Sequence, residues 1–100
     1  MVTIKKVVWT ENAEMQLEEI YQYILEDSQQ NAIEIKNKIF KSTSQLLDFP
    51  EKYPNDKYKK NNDGNFKAYE IYRYRISYYI SEKEIVIIRI RSTNRKPKKY

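Results

Sequence analysis

The chain has 100 residues, 40% of them apolar, and a formal net charge of +5. That length suits a single domain, 1–100, around one modest hydrophobic core, and the absence of cysteine excludes disulfides and thiolate metal sites. The absence of histidine removes the commonest general base and metal ligand, and the lone Gly64 excludes a glycine-rich phosphate loop.

Thr3 to Trp9 reads as a short strand ending in the β-favouring Val7, Val8 and Trp9. Thr10 is a good N-cap, with Glu11 and Glu14 complementing the positive end of a helix that starts there. Ala13, Leu17, Ile20, Tyr21 and Ile24 follow one helical face. Asp27 and Ser28 close this helix and offer a cap to a second, whose apolar side carries Ala32, Ile35, Ile39, Phe40, Thr43, Leu46 and Leu47 and which stops before Phe49-Pro50. A connection this short predicts an antiparallel helical hairpin. Pro50 to Asn65, rich in Pro, Asn, Asp and Lys, reads as a loop. Three strands follow: Phe66 to Tyr72, with no clear inward face; Tyr74 to Ser81, alternating cleanly; and Glu84 to Arg91. In the last, Val86, Ile88 and Ile90 share one face, and Arg89 and Arg91 share the other with Ile85 and Ile87. Ser92 to Tyr100 is a cationic tail in which Pro97 argues against a long helix.

The expected fold is therefore α+β, in the order β-α-α-β-β-β, with an antiparallel helical hairpin packed on one face of a small twisted antiparallel sheet. No apolar run approaches the roughly 18 residues of a membrane span, and MVTIKKVVW is too short for a signal peptide. A cytoplasmic protein with no membrane partner is expected.

Charge is divided unequally along the chain. Arg73 to Tyr100 holds nine Lys or Arg against two acidic residues, a net +7, while residues 1–72 are net −2. Strand alternation puts Arg75, Tyr79, Arg89 and Arg91 on the sheet face away from the hairpin, with Arg95 and Lys96 just beyond. Like charges opposed across strands destabilise a sheet, so an anionic partner is the expected compensation. Internal pairing with Glu70, Glu82 or Glu84 is the alternative. The same arginines would stabilise charge developing on a scissile phosphate. An RNase would then need a proton acceptor for the ribose hydroxyl, for which Lys96, Lys98, Tyr79 and Tyr100 are candidates. The acidic run Glu11, Glu14, Glu18, Glu19, Glu26 and Asp27 has no metal-ligand spacing and suits a solvated or protein-facing side. Neither a metal nor a cofactor is expected.

The ordered motifs resemble the RelE/ParE superfamily of type II toxin–antitoxin toxins. WTENAEMQLEEIYQYI places Trp9, Thr10, Ala13, Leu17, Ile20, Tyr23 and Ile24 in the pattern of its opening strand and first helix. LLDFPEKYP is similar to its Leu-x-x-Phe-Pro helix ending, YRYRISYYI to its Tyr-Arg-Ile-x-Tyr strand, and IVIIRIRSTNRKP to its last strand and tail. The resemblance implies a toxin neutralised by a cognate antitoxin, with which it can form a heterotetramer. Its branches either inhibit DNA gyrase by binding or cut mRNA on the ribosome. The long hairpin resembles the gyrase-directed ParE branch. Arg75 and Arg95 match arginines of the family pattern, whereas Ser92 stands where many members have a histidine after the last strand. Gyrase inhibition by binding is the favoured expectation. A ribosome-dependent mRNA endonuclease using Arg75, Arg89, Arg91 and Arg95 is the alternative, followed by a non-toxic relative that keeps only antitoxin binding.

Overall fold

The computed structural model describes residues 6–100. Its elements are β1 (Lys6–Trp9), α1 (Glu11–Leu25), α2 (Gln29–Ser44) running into a 3-10 turn (Gln45–Leu47), β2 (Phe66–Ile71), β3 (Tyr74–Ile80) and β4 (Glu84–Ser92). The α+β order expected from the sequence is the one found. The Thr3–Lys5 part of the first expected strand lies outside the described residues.

Both helices begin where their caps stand. The Thr10 hydroxyl accepts from the Ala13 N–H at 3.1 Å, and the Ser28 hydroxyl accepts from the Asn31 N–H at 3.2 Å. The three residues Glu26 to Ser28 then turn α2 back along α1. Ala13, Leu17, Ile39 and Leu46 of the hairpin and turn pack on Tyr69, Ile76, Tyr78, Ile85, Ile87 and Ile90 of the sheet. Phe40 leaves this interface and lies exposed, stacked at 6.0 Å on Trp9.

The sheet order is β1-β4-β3-β2. β2–β3 and β3–β4 are antiparallel, as a meander requires, but β1 pairs parallel to β4, from Lys6 opposite Glu84 to Trp9 opposite Ile87. The sheet is mixed rather than wholly antiparallel. The intervening hairpin, loop and meander supply the long crossover that a parallel pair needs.

β4 departs from simple alternation. A bulge at Ser77/Tyr78 sets Arg89 opposite Ser77 but Ile87 opposite Tyr78, leaving Ile88 without a partner. Ile85, Ile87 and Ile90 therefore all reach the core, in place of the expected Val86, Ile88 and Ile90. Helix α1 satisfies the backbone groups at the irregularity. The Thr10 hydroxyl donates to the Ile88 carbonyl at 3.2 Å, and the Gln16 side-chain carbonyl accepts from the Ile90 N–H at 2.7 Å.

β2 shows no inward face in its sequence because both its faces are covered. Tyr69 enters the core, where its hydroxyl bonds Ser42 at 2.8 Å, and its buried neighbour Ala68 lies on the opposite face. Backbone bonds from Asp56 N–H to the Phe66 carbonyl and from Ala68 N–H to the Pro54 carbonyl fasten the loop to the β2 edge. The sheet face away from the hairpin was expected to be open. In the structure the loop and the tail cover part of it.

Candidate functional site

Register brings the cationic residues together in rows. Glu70 pairs Arg75 and Arg75 pairs Arg91 across β2, β3 and β4, while Ala68, Ser77 and Arg89 form the next row. Over these rows sits Asp56, 2% exposed and delivered by the loop. Its carboxylate accepts from Tyr100 Oη at 2.6 Å, Ser77 Oγ at 2.7 Å, an Arg75 NH2 at 2.9 Å and the Tyr58 N–H at 3.1 Å. Burial pushes the Asp56 carboxyl up, but the hydrogen bonds from Tyr100, Arg75, Ser77 and the Tyr58 backbone outweigh it. They hold the group below its ordinary value.

The tail closes over this carboxylate. Tyr100 N–H donates to the Tyr58 carbonyl at 3.0 Å, and Lys60 N–H donates to the Tyr100 carbonyl at 2.7 Å. Arg89, 8% exposed, donates to the Lys98 carbonyl at 2.7 Å and lies 3.8 Å from the Tyr100 ring centroid. Burial lowers the Arg89 pKa, and Arg91 and Arg75 add to the effect. Burial, with the Asp56 carboxylate as acceptor, pushes the Tyr100 phenol up to about 12. Arg75 also meets Glu70 at 3.6 Å, while its buried Nε has no hydrogen-bond partner.

Beside this network opens a cleft of about 100 Å³ lined by Arg75, Arg89, Arg91, Arg95 and Lys98, with Glu70 its one carboxylate. All four arginines singled out in the sequence therefore share one depression, but unequally. Arg75 and Arg89 are tied into the fold. Arg91 and Arg95 have no ion-pair partner among the described residues. Tyr79 does not line the cleft; its ring packs on Phe66 at 4.6 Å. Lys96 stands exposed on the tail outside it. Of the three carboxylates considered as internal partners, Glu70 meets Arg75, Glu84 meets Lys6 at 3.4 Å, and Glu82 forms no ion pair among the described residues.

Sequence reasoning missed Asp56, whose surroundings, YPNDKY, read as turn chemistry. The available signal was electrostatic. A face with three arginines requires a counter-charge, and the long loop that adjoins it carries aspartates.

The chain thus sets a helical hairpin on one face of a four-stranded sheet and a basic cleft on the other. Residues 7–97 match the family described as ParE toxin of type II toxin-antitoxin system, parDE, and the chain belongs to it. Among solved structures, the fold is similar to one titled "Chromosomal ParDE TA system from P. aeruginosa". Its TM-score is 0.72 at 18% identity, covering 92% of this chain and 98% of that one. No curated protein matches the chain in sequence.

Proposed function

We propose that this type II toxin inhibits DNA gyrase by binding, using the cleft around Arg91 and Arg95 as its contact surface, and that a cognate antitoxin neutralises it. Beyond family membership, the observation that carries this reading is the state of the groups that would have to move a proton. Asp56 is buried and saturated with donors, and its pKa is lowered. The Tyr100 phenol sits near 12 and donates to Asp56, and Tyr79 is packed against Phe66. A general base works best with a pKa near the operating pH and within reach of the proton it takes. Asp56 and Tyr100 do not meet that requirement, and Tyr79 and Lys96 stand outside the cleft, which leaves Lys98 as the one candidate base beside the arginines. Charge-assisted binding needs no base, only the free guanidinium groups. The exposed apolar side chains Met15, Tyr23, Ile33 and Phe40 of the hairpin offer the antitoxin a second surface.

The test is a pair of assays on purified toxin. With gyrase and plasmid DNA, trapped enzyme–DNA complexes and lost supercoiling are expected, both reversed by the antitoxin. With programmed ribosomes, intact mRNA is expected. Cleaved mRNA together with unaffected gyrase would select the endonuclease reading instead.

A further inference from the structure

We infer that the cleft receives the phosphate backbone of duplex DNA, read without regard to base sequence. This rests on the reading above that the cleft meets the target, and it names the chemistry met there. Five cations line the cleft against one carboxylate, Glu70, which already lies beside Arg75. Arg75 is held by Asp56, and Arg89 by the Lys98 carbonyl and the Tyr100 ring. What remains is Arg91, set directly opposite Arg75 in the register, with Arg95 and the Lys98 ammonium. None of these three has an ion-pair partner among the described residues. With Arg75 already compensated by Asp56 and Glu70, the free forks of Arg91 and Arg95 are left to an external anion, and phosphate accepts from such forks bidentately.

The positive surface continues beyond one pocket. Docking of Tyr100 between the Tyr58 carbonyl and the Lys60 N–H lays the tail, with Lys96, Lys98 and Lys99, beside the loop that carries Lys57, Lys59 and Lys60. A track of separate cations suits a polymer of evenly spaced charges. On the other side of the sheet, α1 carries Glu11, Glu14, Glu18 and Glu19 and no basic residue. Lys36 of α2 offsets Glu18 at 3.5 Å, and the other three carboxylates disfavour approach of a polyanion along α1.

The aromatic rings decide between duplex and single strand. Non-specific single-strand binding relies on open rings on which bases stack. Here Tyr58 has Arg75 at 4.9 Å and Lys57 at 5.3 Å, Tyr100 has Arg89 at 3.8 Å and Lys59 at 5.4 Å, and Tyr79 lies on Phe66. The rings are already engaged, which leaves cations to meet a backbone.

The experiment is fluorescence anisotropy of purified toxin with a short labelled duplex across a salt series, alongside gyrase inhibition by the same samples. The three free cleft cations alone contribute about −2.7 to the log–log slope, or about 40-fold between roughly 50 and 200 mM salt, and the lysine track steepens it further. Arg91→Ala with Arg95→Ala should make the slope shallower by about 1.8, while Lys41→Ala on α2 should leave it unchanged. An unrelated duplex should bind equally and the matching single strand more weakly. Wild-type binding that ignores salt, a double variant with an unaltered slope, or a polyglutamate that displaces the duplex at equal charge concentration would each overturn the inference, the last in favour of an acidic protein segment. Loss of duplex binding with gyrase inhibition retained would uphold the inference and refute the cleft as the gyrase-inhibiting surface. Loss of gyrase inhibition with duplex binding intact would do the reverse.

Discussion

Removing the Asp56 carboxylate is the sharpest test of how the arginine face is held. The side chain is fully buried, accepts four hydrogen bonds, and pairs at 2.9 Å with an Arg75 side chain that is itself only 17% exposed. In Asp56→Ala the guanidinium keeps only the more distant, exposed Glu70, and Ser77 and Tyr100 lose their acceptor. Breaking a buried pair in this way costs about 3–5 kcal/mol, a large share of the ~5–15 kcal/mol that holds a domain folded. At this chain length that lowers Tm by roughly 15–30 °C. Asp56→Asn keeps an oxygen for Arg75 and the Tyr58 N–H, and the two hydroxyls can turn to accept from its amide, so about 1–3 kcal/mol is expected. The pH dependence has a definite sign. Because the folded-state pKa lies below the ordinary 3.8, the charge contributes stability above that value and loses it as pH falls through the lower, folded one. The wild type should therefore exceed Asp56→Asn at neutral pH and converge with it in acid. Urea denaturation of the three proteins at neutral and acid pH measures this. An Asp56→Ala cost under about 1 kcal/mol, or a gap that persists in acid, would refute the reasoning.

Three further outcomes follow from the same contacts. Gln16→Leu strands the Ile90 N–H at the β4 bulge, costing about 1–3 kcal/mol, and amide hydrogen exchange should accelerate at Ile90 above its neighbours. Tyr100→Phe removes one donor from Asp56 and should cost about 1–3 kcal/mol. In ultraviolet titration of the folded protein it should also delete a phenol that ionises near 12. Thr10→Ala takes away both the α1 cap and the bond to the Ile88 carbonyl, and a loss of about 1–2 kcal/mol in chemical denaturation is expected.

Where local chemistry decides the structure, the sequence was readable. Thr10 and Ser28 cap the helices they were expected to cap, and the clean alternation of β3 placed Ile76 and Tyr78 in the core. Readability failed where the deciding partner is remote. The run Ile85-Val86-Ile87-Ile88 is apolar at every position, so it carries no phase, and a bulge satisfied from α1 set which isoleucines turn inward. The covering of β2 and of Arg75 depends on a loop aspartate 19 residues from that arginine. Alternation placed Arg89 on the correct face, but its burial depends on Lys98 and Tyr100 folding back, which no periodicity reports. Arg75 anchors Asp56, so replacing it would disturb the fold as well as the surface, and Arg95 is the informative companion of Arg91.

Gyrase supercoiling titrated with wild-type toxin and with the Arg91→Ala, Arg95→Ala double variant, at matched concentrations of folded protein, bears most directly on the role given to the cleft. Potency should fall at least about tenfold, the equivalent of about 1.4 kcal/mol of lost contact. A double variant that is folded and inhibits as strongly as the wild type would contradict it.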